Sequence, residues 1–176
     1  MHELIFLYKE TLLIILGIDP GIASTGYGVI KVSGGDLLSL VDYGVIKTSP
    51  GENQGLRLKH IYDRVNGIIN GHRPDAVAIE TIFHSKNLKS LAMVSEAIGV
   101  ISLAAGNYGL NIQKFTPLEI KSAITRSGKA TKGQIQEMVK TILNLDSLPR
   151  PDHASDALAI AICYRTNVLF SQIENR

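Results

Sequence analysis

LLIILGIDPG, residues 12–21, decides how the rest of the chain is read. Leu12 to Ile18 is a continuous apolar run, the mark of a strand covered on both faces, and Pro20-Gly21 turns the chain immediately afterwards. A carboxylate, Asp19, thus stands at the end of the most buried strand on a rigid turn. Two roles are open to it: a turn residue, as aspartates often are, or an acid delivered to the edge of a sheet.

Outward from this strand, Thr25 to Val32 and Leu37 to Lys47 read as two more, the latter following Gly34-Gly35-Asp36. Their short connections predict an antiparallel meander. Gln54 to Asn70 carries Leu56, Leu58, Ile61, Val65, Ile68 and Ile69 near helical spacing and is ended by Gly71 and Pro74. Ala76 to Ile79 is a short buried strand ending in Glu80, Leu88 to Ala105 a long apolar helix, and Leu110 to Phe115 a fifth strand. Thr116-Pro117-Leu118-Glu119 and Thr131-Lys132-Gly133-Gln134 both have the form of a capped helix start. Pro149 and Pro151 break the chain before a last helix from about Asp152 to Asn167. The order βββαβαβ followed by helices predicts an α/β chain with a five-stranded mixed sheet flanked by helices. No repeat or long linker divides it, so residues 13–176 are expected to form a single domain behind an N-terminal extension, residues 1–12.

Composition narrows the class. With 176 residues, 45% hydrophobic and 19% charged, the chain can bury a core and is not of the disordered type. The net charge of +2 says little about partners, but six basic residues cluster between Lys114 and Lys140 against Glu119 and Glu137. Such an excess suits phosphate contacts or an ordinary solvated surface. The single cysteine, Cys163, excludes an internal disulfide and a cysteine-rich zinc site; within an apolar helical run it is expected to be an inert buried thiol, which fits a reducing cytoplasm. Lys9 and Glu10 interrupt the N-terminal apolar stretch and no basic segment precedes it, so no signal peptide is expected. The later apolar runs look too short or too broken to cross a membrane.

Four polar positions carry chemistry. Charged groups seldom end an apolar strand without a partner or metal, which marks Glu80, although a salt bridge would serve equally. His153 and Asp156, three apart at the start of the last helix, share one face, and Asp152, four before Asp156, is a rival for it. Acids at a helix start also complement its dipole. Taken together, acids from two strand ends and a helix start form the oxygen-rich set that a pair of Mg2+ ions requires.

GIDPG at Gly17–Gly21 with TGYGVI at Thr25–Ile30, AIETIFHSKN at Ala78–Asn87 and HASDALAIAI at His153–Ile162 resemble, in this order and spacing, the RuvC family of Holliday-junction resolvases. GIDPG alone is not specific, because actin-like ATP-binding proteins share a similar loop. The resemblance runs from about Leu13 to the last helix. It implies a ribonuclease H-like fold and a homodimeric, structure-selective DNA endonuclease that cuts four-way junctions in recombination and repair, with RuvA and RuvB as partners. It further implies Asp19, Glu80, His153 and Asp156 as catalytic metal ligands for Mg2+, with Mn2+ as a substitute. Many members have aspartate where His153 stands, which bears on metal preference. The family's stacking aromatic falls on Phe83 and its paired lysines on Lys121 and Lys132. Lys86, Lys89, Arg126 and Lys129 are expected to add phosphate contacts. Related readings are an RNA-directed enzyme of the YqgF group, an actin-like ATP-binding protein and a non-catalytic junction-binding module.

Overall fold

The computed structural model of the chain describes residues 12–34, 37–81 and 88–174. Five strands form one sheet: β1 (Leu13–Asp19), β2 (Ser24–Ser33), β3 (Leu37–Lys47), β4 (Ala76–Glu80) and β5 (Asn111–Phe115), in the order β3-β2-β1-β4-β5. The first three make the antiparallel meander, while β4 lies parallel to β1 and β5 parallel to β4. The sheet is therefore mixed, and its most apolar strand is central, where both faces must be covered.

Helices α1 (Gln54–His72) and α2 (Leu88–Asn107) cover one face. There Leu16, Ile18, Val29, Val77 and Ile79 meet Ile61, Val65, Ile69 and Ile101. Helices α3 (Pro117–Thr125), α4 (Lys132–Ile142) and α5 (Asp152–Glu174) cover the other, around Ile15, Ile30, Ala78, Phe115 and Leu158. The alternation of strand side chains decides which residues see which layer. On β1, Leu16 and Ile18 face α1 and α2, which leaves Ile15, Gly17 and Asp19 facing α5.

Both expected capping boxes form: Thr116 Oγ1 accepts from the Glu119 N–H, and Thr131 Oγ1 from the Gln134 N–H. Two expectations change. The last helix continues past Asn167 to Glu174, since nothing in Asn167–Glu174 stops a helix. Within α2, Ser90–Asn107 has a mean hydropathy of 1.3 and is long and apolar enough to cross a bilayer, contrary to the reading that no run is. Glu96 is its one charge. The helix packs on α1 and the sheet through Ala97, Ile101, Ala104 and Ala105, which a core helix of this composition also does.

Candidate active site

The two strand-end acids are neighbours by register. Ile18 pairs with Ile79 in the parallel β1–β4 ladder, so the next residues, Asp19 and Glu80, leave adjacent strands side by side. Both strands run the same way, which brings both acids to the carboxyl edge of the sheet, and alternation turns both toward α5. Val77 and Ile79 point to the opposite core, as Glu80 must not.

The start of α5 meets this edge because the strands beneath it have no side chains there. A Cβ on Gly17 would lie 2.1 Å from the Ala157 carbonyl oxygen, and one on Gly26 1.9 Å from that of His153. The helix backbone thus rests directly on β1 and β2, and its own contact residues, Ala154, Ala157 and Ala161, are equally small and fully buried. With α5 seated this way, His153 Nδ1 donates to Asp19 Oδ2 at 2.7 Å. Asp19, His153 and Asp156 each offer a ligand atom within 4.8 Å of the others.

The electrostatics call for a cation. Burial raises the Asp19 pKa, and the hydrogen bond and charge of His153 only partly oppose this. Glu80 is pushed up to about 7, first by burial and then by the charges of Asp19 and Asp156. Lys132 Nζ supplies part of the missing charge, 3.0 Å from Asp156 Oδ2 and 3.4 Å from Asp152 Oδ2. Burial alone would lower the lysine's pKa, but these two carboxylates outweigh it and hold it above the usual range. A donor set of carboxylates with one imidazole suits a divalent metal that accepts oxygen and tolerates nitrogen.

Of the expected residues, Glu80, Lys121, Lys132 and Asp156 line a cleft of 190 Å³ floored by Ile120, Ile135 and Ala159. Asp152 is not part of the three-residue cluster: its Oδ1 accepts from Gln136 Nε2 at 3.0 Å and from Arg150 at 3.2 Å, and its Oδ2 faces Lys132. Arg126, the left-handed C-cap of α3, and Lys129 are exposed, and neither lines the cleft with Glu80 and Asp156. Lys129 borders a larger hollow of 710 Å³ with Thr131, Gln134, Glu137 and Met138; it contains none of the four acid-site residues. Lys89 lies in the first turn of α2. Phe83 and Lys86 fall outside the described residues. Cys163 is buried, and burial pushes its thiol up to about 12, so it is inert. Neither Gly17 and Gly26 as the seat of α5 nor Gln136 as a partner of Asp152 was singled out from the sequence. The one available signal was glycine recurring on alternate positions of strands that needed no turn.

Residues 15–164 match the family model described as crossover junction endodeoxyribonuclease RuvC. A protein of that name from Caldicellulosiruptor saccharolyticus is 45% identical over 163 residues, 91% of this chain and 98% of its own length. One from Alkaliphilus metalliredigens is 47% identical over 152 residues, 86% and 92% of the two chains. Thermus thermophilus RuvC in complex with a Holliday junction substrate superposes with a TM-score of 0.87 at 35% identity, over 90% of this chain and 96% of its own. The yeast mitochondrial resolvase Ydc2, at 12% identity and a TM-score of 0.66, shares the fold.

Proposed function

The chain belongs to the RuvC family of crossover junction endodeoxyribonucleases, metal-dependent nucleases of ribonuclease H-like fold, and from that premise we propose that it resolves four-way DNA junctions using Asp19, Glu80, His153 and Asp156 as its metal-binding catalytic set. The observation that carries this reading is the convergence of Asp19, His153 and Asp156 within 4.8 Å, beside a Glu80 that is hard to ionise without a cation. Two Mg2+ ions, with Mn2+ as a substitute, would supply an activated water and charge stabilisation for the leaving oxygen. The chain's own task is to hold the ligands and receive the phosphodiester. Lys121 and Lys132, on the wall of the same cleft, neutralise charge on the scissile phosphate. Arg126, Lys129, Lys86 and Lys89 contact the backbone, and Phe83 stacks on a junction base.

Two equivalent cuts on opposed strands call for two sites related by a two-fold axis, hence a homodimer. The exposed apolar side chains of Leu88 and Leu103 on α2 support a partner surface on that helix. RuvA and RuvB, the branch-migration partners implied by the family, are part of the same proposal. The test is a cleavage assay comparing a four-way junction, its component duplexes and structured RNA, with Mg2+, Mn2+ or chelator. Cutting confined to the junction and abolished by chelator is the expected result. Equal cutting of duplex, or cutting of RNA alone, rejects it.

A further inference from the structure

The contact between α4 and the start of α5 contains an arrangement that holding a metal does not require. Two residues one turn apart on α4, Lys132 and Gln136, face two residues one turn apart on α5, Asp152 and Asp156. Gln136 is buried and donates to Asp152 Oδ1, which fixes that carboxylate against α4. The other oxygen of Asp152 lies 3.4 Å from Lys132 Nζ, while Asp156 Oδ2 lies 3.0 Å from the same ammonium. Lys132 is therefore shared between an acid of the metal set and an acid outside it.

We infer that Asp152 is a positioning residue that holds the Lys132 ammonium at the cleft when a cation takes Asp156. The inference rests on Asp156 being a metal ligand, as proposed above. A divalent cation on Asp156 repels the ammonium and removes the partner it prefers. With Asp152 present, Lys132 shifts its ion pair by a small swing and stays beside the phosphate site. Without that charge, Asp156 is the one carboxylate left within ion-pair distance of the ammonium among the described residues, so Lys132 competes with the metal for it. Asp152 thus sets metal affinity through Lys132 without ligating the metal.

The experiment measures Mn2+ binding by calorimetry to the DNA-free full chain, which needs no catalytic readout. The proteins are wild type, Asp152→Asn, Asp152→Glu, Lys132→Met, the Asp152→Asn/Lys132→Met double variant and Asp156→Asn. Asparagine keeps an acceptor for Gln136 and so preserves the docking of the helices. Asp152→Asn is expected to weaken Mn2+ binding about tenfold when Lys132 is present and less than about twofold in the Lys132→Met background, the non-additivity of residues sharing a partner. Asp152→Glu should restore most of the loss. An equal loss in both backgrounds means that Asp152 acts as a plain distant charge and overturns the inference. Loss of binding in both backgrounds while Asp156→Asn binds normally makes Asp152 the ligand and overturns the metal-site reading as well.

Discussion

The two faces of the sheet are covered by helices in opposite ways. On the α1–α2 side, branched side chains from both layers interdigitate: Leu16, Ile18, Val29 and Ile79 against Ile61, Val65 and Ile69. Four of the glycines within those helices, Gly67, Gly71, Gly99 and Gly106, face nothing within 4 Å. On the α5 side, Gly17, Gly26 and Gly28 leave the helix on the strand backbones, and a Cβ on any of them would collide with helix atoms at 1.9–2.7 Å. Interdigitated aliphatics bury area and absorb changes of shape. Backbone resting on backbone leaves no slack, and that is the side on which the four site residues meet. One layer holds the fold together; the other sets distances.

The largest expected effect tests what the precise layer is for. Asp19→Asn and Glu80→Gln should each slow junction cutting by about 10³-fold or more, because metal-borne charge stabilisation worth several kcal/mol is lost. Junction affinity in a gel-shift titration should change little, since phosphate contacts carry it. Cutting near the wild-type rate by either variant breaks the assignment.

Next comes Gly26→Ala, one methyl group added beneath His153. Overpacking should cost about 1–3 kcal/mol in urea unfolding. Displacing the start of α5 should lower cutting about 100-fold, as misplacements near 1 Å do. A conservative cavity on the opposite face, Ile69→Val, should cost a similar or smaller 0.5–1.5 kcal/mol with cutting unchanged. Equal activity in the two variants would erase the distinction between the faces.

A pH effect is smaller. The pKa of Glu80 rises in the fold from 4.5 to about 7, so the fold favours its protonated form. The stability this contributes is complete below about pH 4.5 and is lost as pH rises through 7. The shift caps the effect at about 3 kcal/mol, and solvent around a partly exposed carboxyl reduces it to about 1–2. Metal-free protein should therefore lose stability between pH 5 and 8 more steeply than Glu80→Gln does, and Mg2+ at pH 8 should restore it. Identical slopes in chemical denaturation would remove the carboxyl from the cause.

The smallest effect is the mirror image of Gly26→Ala. Gly67→Ala, on an exposed and unopposed position of α1, should stabilise by about 0.5–1 kcal/mol and leave cutting untouched.

Much of this was legible because the signals are local. A continuous apolar run identified β1 as central, and the capping residues at Thr116 and Thr131 dated the starts of α3 and α4. Asp19 and Glu80 could be recognised as strand-end acids before any partner was known. What escaped depends on contacts from distant parts of the chain. In β3 the register to β2 slips between Val29 and Ile30, so Val41 bulges outward and the alternation from Leu40 to Tyr43 changes phase. The choice between Asp152 and His153 as the residue beside Asp19 turns on where α5 sits on Gly26, which spacing along one helix does not encode. Glycine in a strand reads as weakness until the opposing helix is known.

His153 and Asp19, in direct contact, lie 134 residues apart in sequence. During synthesis from the N-terminus, β1 leaves the ribosome long before α5, and the glycine seat that receives α5 waits through translation of four further strands and four helices. An unfinished or prematurely released chain lacking α5 holds Asp19 and Glu80 without the residues that complete their cluster. On the proposed metal set, cutting competence is acquired in a single late event, the docking of the last helix to be made.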